Sequence, residues 1–265
     1  TVMIGIFAFL NTHPIRPQDF WWHMAVGRSI VTTHQIPAVD TFSQLMAGTP
    51  YPSYQAFWLM EVALYGLYTL GGPALVVFAH SITITSAYGL VLWLCYQKSH
   101  SWRIAALCTL FAAALGINDW NVRPQAMAFP IGVLFMLAIH TLSIPHPIRR
   151  WLAVFPIGML IWVNSHGTFP IGFLLLGSWL LNKAWLTLKA QKYTLTTKLF
   201  PALSMPLLAL AVTLLAALLN PRGIGTLTYL QTMSTDPVIQ NMVPEWAPPS
   251  FDTFTGEIFF IGLLL

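Results

Sequence analysis

Long apolar segments separated by short polar ones constrain this chain more than any other feature of its sequence. A helix needs about 20 mostly apolar residues to cross a bilayer, and the candidate segments are 1–11, 73–96, 103–118, 125–143, 151–163, 167–186, 200–219 and 257–265. Only 8% of the 265 residues are charged, whereas a soluble domain carries about 25%. The sequence therefore predicts an all-α polytopic membrane protein and excludes soluble, disordered and fibrous classes.

We interpret residues 1–265 as a single transmembrane domain. The chain opens without an initiator methionine and stops inside the apolar run 257–265, so we expect a fragment that is truncated at both ends. Residues 12–72 are predicted to form a first outer loop with interfacial helices, and residues 220–256 a second outer loop. Polar residues gather in these two loops, which makes the outer face the expected location of a functional site.

The distribution of charge predicts the sidedness of the loops. Segment 55–71 either crosses the membrane or lies in its interface. If it does not cross, one set of loops holds eight basic residues and no acid, namely Lys98, Arg103, Arg149, Arg150, Lys183, Lys189, Lys192 and Lys198. The other set holds all eight acids of the chain. Cytoplasmic loops carry the excess of Lys and Arg, so segment 55–71 is placed on the outer surface of the membrane, together with the acidic loops. This pattern accounts for the pI near 9.2 without a nucleic-acid partner.

Asp19 and His23 form the first candidate functional pair. If a helix begins at Asp19, both side chains lie on one face at i, i+4, beside Trp21 and Trp22, whose indole rings favour the headgroup region. The functional interpretation is a carboxylate that acts as a general base, or that binds Mg²⁺ or Mn²⁺ together with His23. The structural interpretation is a helix N-cap within an interfacial aromatic belt.

Glu61 and Arg123 are the next candidates. Glu61 stands among apolar residues and must pair, lose its charge or turn to water, and Arg28 or Arg123 is its expected partner. Arg123 precedes Pro124 at a predicted helix start, where a guanidinium and free backbone amides favour phosphate. The alternative for Arg123 is contact with lipid headgroups.

The remaining polar residues allow several interpretations. Asn164 and His166 lie in a predicted tight outer turn and either face a cavity or satisfy local backbone. Arg222 belongs to a helix-stop signal, Glu245 to a proline-rich turn, and Asp40 to a predicted Asx turn. His80 and His140 fall in apolar segments, where they either ligate a haem or chlorophyll or bond to local groups.

Several of these segments together resemble a group of bacterial membrane proteins in the GT-C superfamily of glycosyltransferases. The resemblance rests on the stretches 19–30, 34–43 and 55–61, followed by Arg123-Pro-Gln, Asn164-Ser-His-Gly, Leu219-Asn-Pro-Arg-Gly and Glu245-Trp in the same order. It covers nearly the whole chain. Many relatives have a second acid next to the first, whereas here Phe20 follows Asp19.

The resemblance implies a GT-C-like helix bundle that transfers a sugar from a polyprenyl-phosphate donor to an acceptor at the outer face. Asp19 matches the position of the family's acidic residue, which acts as base or metal ligand. The residues expected to bind substrate are His23, Arg28, Glu61, Arg123, Asn164, His166, Arg222 and Glu245. Membrane lipid, the lipid-linked sugar and other membrane subunits are the expected partners. The alternatives are a non-catalytic subunit of a larger membrane complex and a pigment- or haem-binding subunit.

Overall fold

The computed structural model describes residues 2–16, 19–50, 53–117, 120–192, 199–235, 237 and 248–264. Within these residues the regular structure is helical, apart from one isolated antiparallel bridge between Val39 and Pro50. The helices are α1 (Val2–Leu10), α2 (Phe20–Thr33), α3 (Ser53–Ser99), α4 (Trp102–Gly116), α5 (Ala128–Ser143), α6 (Val154–Val163), α7 (Pro170–Ala190), α8 (Leu199–Ala217), α9 (Gly225–Thr235) and α10 (Phe254–Leu264). Short 3₁₀ turns, Pro124–Met127 and Arg149–Ala153, precede α5 and α6.

Helix α3 consists of two arms that meet at a glycine pair. Gly71 and Gly72 leave the helical region, and Gly72 has φ 63° and ψ −162°, a conformation that side chains with a Cβ rarely adopt. Pro73 then begins the second arm, in keeping with its preference for the first turn of a helix. The kink separates 53–70 from 73–99, the division that the sequence predicts between segments 55–71 and 73–96.

Each arm of α3 packs against different neighbours. In the first arm, Leu64 packs with Phe20 and Met24 of α2, and Trp58 and Val62 pack with Val26 and Ile30, also of α2. In the second arm, Ile84 and Tyr88 pack with Phe7 of α1 and Ala113 of α4. The kink therefore allows one helix to support α2 on one side and α1 with α4 on the other.

A second core joins α5, α6, α7 and α8. Its large, fully buried members are Phe135, Phe155, Met159, Trp162 and Leu176. The rings of Phe135 and Phe155 meet edge to face with centroids 5.1 Å apart, an arrangement that aromatic pairs favour. Because these helices carry apolar residues on all sides, the same elements supply both this core and an exposed apolar surface.

Among the residues that the structure describes, four helices are long and apolar enough to cross a membrane: Ala56–Ser99, Pro124–Ser143, Pro170–Ala190 and Leu199–Ala217. Their outer faces expose large apolar side chains, among them Leu174, Leu181 and Leu215. An exposed apolar surface of this extent is compatible with contact with the hydrocarbon chains of a bilayer, and it is unusual in a soluble monomer. These features are those of an integral membrane protein.

The sequence predicts about eight membrane helices, of which those at 1–11 and 257–265 are expected to be truncated; these two segments and two others form shorter helices in the part of the chain that the structure describes. α1 has 9 residues, α4 has 15, α6 has 10 and α10 has 11. At 1.5 Å per residue, a helix of 15 residues is about 22 Å long, less than the ~30 Å hydrocarbon layer. Segment 151–163 falls short because Arg149–Ala153 takes the 3₁₀ form and α6 begins only at Val154.

The helix connections bring several polar segments to one end of the bundle. The turn after α6 bonds to the first arm of α3, where the Leu59 amide donates to the Asn164 carbonyl at 3.0 Å. The turn after α8 bonds to the same place through Asn220 and Asn164. Arg123, at the start of the turn into α5, contacts Asp19 at the start of α2. The candidate functional residues lie at these connections.

Candidate functional site

An ion pair between Asp19 and Arg123 joins the start of α2 to the turn that leads into α5. Asp19 occupies the N-cap position of α2, but its side chain makes no capping bond. The predicted N-cap role is therefore wrong, and the carboxylate accepts a hydrogen bond from Nη2 of Arg123 instead. The Asp19 side chain is 48% exposed and that of Arg123 is 21% exposed, so the pair is open to a ligand from outside.

A second pair, formed by His23 and Glu61, lies one helical turn further along α2. Nδ1 of His23 is 3.0 Å from Oε1 of Glu61, and the side chains are 7% and 0% exposed. The sequence suggests an arginine partner for Glu61, but the structure pairs it with His23, while Arg28 lies exposed on α2. Oε2 of Glu61 has no hydrogen-bond partner among the described residues.

Gly27 explains how α2 and α3 approach closely enough to form this buried pair. A Cβ atom on Gly27 would stand 2.1 Å from the backbone carbonyl oxygen of Glu61. A residue with a side chain cannot occupy this place without moving one helix. The contact fixes His23, which is one turn before Gly27, against the helix that carries Glu61.

His166 reaches the same region from the turn between α6 and α7. Its ring lies against Phe57, with centroids 5.4 Å apart, and Phe57 also meets the ring of His23 at 5.7 Å. Nδ1 of His166 is 3.0 Å from the Thr168 hydroxyl. The rings of both histidines therefore contact the same phenylalanine ring.

Burial keeps both imidazoles neutral at physiological pH. It lowers the pKa of His23 from 6.5 to about 4; the charge of Asp19 opposes this shift and that of Arg123 adds to it. The pKa of His166 is lowered to about 4 by burial, by Arg123 and by His23, in that order. Asp19, His23, Arg123 and His166 thus lie close enough to act on one another electrostatically.

Beside these residues, Asn164 and Asn220 form the centre of a buried polar network. The indole of Trp58 donates to Oδ1 of Asn164 at 2.7 Å, and Nδ2 of Asn220 donates to the same oxygen at 3.1 Å. Oδ1 of Asn220 accepts from the Arg222 amide and the Thr226 hydroxyl. Asn164 therefore ties α3, α6 and the turn after α8 together, a structural role at the edge of the site.

His80 and His13 share one backbone acceptor. Nε2 of His80 lies 3.0 Å, and Nε2 of His13 2.9 Å, from the carbonyl oxygen of Trp120. Since this bond occupies Nε2 of His80, backbone contact accounts for the residue without a pigment or haem. His140 is half-buried on α5.

The described residues do not by themselves provide a metal centre. No group of three or more His, Cys, Asp or Glu side chains with suitable placement occurs among them. Asp19 is engaged by Arg123, and Nδ1 of His23 faces Glu61. These partners do not fit the expected pairing of Asp19 with His23 around Mg²⁺ or Mn²⁺, so no chemical step is derived through a metal.

The structure thus brings together five of the nine predicted site residues: Asp19, His23, Glu61, Arg123 and His166. Asn164 and Arg222 belong to the adjoining network, Arg28 lies outside the group, and Glu245 falls outside the described residues. Phe57, Gly27 and Asn220 complete the arrangement, and sequence reasoning gave them no site role. All three lie in stretches that carry the GT-C resemblance, 19–30, 55–61 and Leu219-Asn-Pro-Arg-Gly, which was the available signal.

In the comparisons with known proteins, no family model, curated protein or solved structure matches the chain. In its described part the chain is helical, with four helices long and apolar enough to cross a membrane and with buried and half-buried ionisable side chains at one end of the bundle.

Proposed function

We propose that this protein transfers a sugar from a polyprenyl-phosphate donor to an acceptor hydroxyl at the outer face of a bacterial cytoplasmic membrane. The observation that carries the proposal is the contact between Asp19 and Arg123. It places a carboxylate, which can take a proton, next to a guanidinium, which can hold a phosphate, at one end of an apolar bundle. The GT-C resemblance implies the role of base or metal ligand for Asp19, and the sequence pattern around Arg123 predicts phosphate binding there.

The ion pair is the resting state of the phosphate site. A guanidinium forks onto the oxygens of phosphate as it does onto a carboxylate. An entering lipid phosphate takes over Arg123 and releases Asp19 from it. The freed carboxylate then accepts the proton of the acceptor hydroxyl, which must come within about 3 Å. Arg123 stabilises the charge that develops on the leaving phosphate.

The surroundings of the pair suit a lipid-linked donor. Trp21, two residues after Asp19, is 51% exposed, and indole rings favour the headgroup region. An apolar groove of about 540 Å³ runs between α1 and the second arm of α3, lined by Ile4, Phe9, Phe78 and Ile82 among others. It reaches Thr12, next to His13, which bonds to the loop carrying Arg123. A chain in this groove would bring its headgroup toward the ion pair.

Transfer from labelled polyprenyl-phosphate sugar, measured in membranes that contain the protein, tests the proposal. Asp19→Asn and Arg123→Gln are expected to abolish transfer. Asp252→Asn and Arg103→Gln are matched controls, because both residues are exposed, and they should transfer at the wild-type rate. Full transfer by Asp19→Asn would remove the base from the mechanism. No transfer by the wild-type protein, together with its purification in a stoichiometric complex, would favour the non-catalytic subunit.

A further inference from the structure

We propose that His23 and Glu61 form a buried proton-donating dyad, which protonates the phosphate oxygen that leaves the sugar. The inference rests on the proposed function and adds a second role to it: Asp19 takes the proton of the acceptor, and the dyad supplies one to the leaving group. His23 is the catalytic residue, and Glu61 is the positioning residue behind it.

The two carboxyl groups of the site stand in opposite environments. Asp19 is about half exposed and contacts a guanidinium. Glu61 is fully buried, and its hydrogen bond among the described residues is to the imidazole of His23. A buried carboxylate without a cation is costly, which favours the protonated form of Glu61. Two carboxyl groups with opposite environments mark an acid and a base.

The hydrogen bond between the residues then fixes the tautomer of His23. A protonated Glu61 donates from Oε1 to Nδ1 of the imidazole, 3.0 Å away. Because burial lowers the pKa of His23 to about 4, the ring is neutral and carries its own proton on Nε2. That nitrogen is therefore a donor, and it makes no hydrogen bond to the described residues.

The groups that face His23 suit an anionic ligand. The charges of Arg123, in the loop before α5, and of Asp19, at the start of α2, act on His23. His23 and His166 both contact the ring of Phe57. Once a phosphate has displaced Asp19 from Arg123, one guanidinium faces a leaving group that would depart with two negative charges. If Nε2 of His23 gives its proton to the leaving phosphate, that phosphate departs with one negative charge. A single guanidinium can balance this charge.

The atoms and protons of the step balance. The acceptor oxygen bonds to the anomeric carbon and gives its proton to Asp19, while the bond from that carbon to the phosphate oxygen breaks and its electron pair stays with the phosphate. The same oxygen takes the proton of Nε2, and Nδ1 takes the proton of Glu61. A proton that passes from Asp19 through water to Nε2 then lets Nδ1 return its proton to Glu61, so the starting state is restored and the net change moves one proton from acceptor to lipid phosphate.

Infrared spectroscopy of the purified protein at pH 7 tests the protonation that the dyad requires. The wild-type spectrum should contain a protonated-carboxyl band that Glu61→Gln lacks and that Asp19→Asn retains. Loss of an ionised-carboxylate band in Glu61→Gln would overturn the inference. Should the variant fail to fold, ¹⁵N-histidine NMR of the wild-type protein reports the tautomer, and a proton on Nδ1 of His23 with an ionised Glu61 would equally overturn it.

Kinetics separate a proton donor from a merely structural residue. In membranes where the wild type is active, Glu61→Gln should lower kcat by about 100-fold or more with KM within twofold, because it keeps the hydrogen bond but not the proton. Glu61→Asp should restore part of kcat. An unchanged kcat in Glu61→Gln would overturn the dyad and leave the proposed function intact, whereas an inactive wild type would reject the proposed function itself.

Discussion

Nδ1 of His23 lies 3.0 Å from Oε1 of Glu61, although 38 positions separate the two residues in the chain. The contact is buried between α2 and the first arm of α3, and it stands one helical turn from the ion pair of Asp19 and Arg123. Four ionisable groups are thus arranged as two pairs, one buried and one open.

Replacing Gly27 by alanine is expected to destabilise the protein. The new Cβ would stand 2.1 Å from the backbone oxygen of Glu61, and such overpacking costs about 1–3 kcal/mol or more. Thermal unfolding in detergent measures the loss. Gly66→Ala is the matched control: it lies in the same helix pair, a Cβ there meets nothing within 4 Å, and it should be neutral or slightly stabilising. Equal melting temperatures for the two variants would contradict the close approach of α2 and α3.

Stability should fall as the pH drops from about 6.5 to 4. His23 and His166 have pKa values lowered to about 4 in the folded protein, against about 6.5 in the unfolded chain. The unfolded state therefore binds more protons throughout this window, and stability rises with pH across it. Through this linkage each histidine adds on the order of 3 kcal/mol to the free energy of unfolding at neutral pH, relative to pH 4.

Melting temperatures between pH 4 and pH 7.5 check this expectation. His166→Gln should flatten the dependence, since glutamine does not titrate, whereas His34→Gln, at an exposed position after α2, should leave it unchanged. If the wild-type melting temperature were constant across the window, the two imidazoles would not be buried as described.

Removal of the Asn220 side chain is expected to loosen the junction of α6, α8 and α9. Asn220→Ala leaves the Val163 carbonyl, the Arg222 amide and the Thr226 hydroxyl without their partner. An orphaned buried polar group costs about 1–3 kcal/mol. Ser204→Ala, at an exposed site on α8, serves as control and should change the free energy of unfolding little. Similar unfolding of the two variants would argue against a buried network.

Part of the fold could be predicted because local rules govern it. The Asx turn expected at Asp40 is confirmed, as Oδ1 accepts from the amides of Phe42 and Ser43. The division of α3 is confirmed too, since Gly71, Gly72 and Pro73 punctuate any helix. Local rules of this kind could not predict the number of membrane-spanning helices. Hydropathy shows where apolar residues run, but not where a 3₁₀ turn shortens a helix, as it does before Val154.

The site could be predicted residue by residue but not as a set of contacts. Asp19 and Arg123 each carry a chemical signal, yet they lie 104 positions apart, and no spacing rule joins them. Local patterns left Asp19 as either a helix cap or a functional carboxylate, and only tertiary structure shows that it contacts a cation. Glu61 received His23 as partner because Gly27 lets two helices touch, which depends on packing and not on pattern.

Binding of polyprenyl phosphate, measured beside sugar transfer in the same variants, tests the exchange at Asp19 and Arg123 most directly. Asp19→Asn should bind the lipid phosphate about two- to fivefold more tightly than the wild type, because a competing carboxylate is gone, and yet transfer no sugar. Arg123→Gln should lose both binding and transfer. Tighter binding without turnover is the result that the ion-pair exchange predicts. Unchanged binding in both variants, with transfer intact, would contradict it.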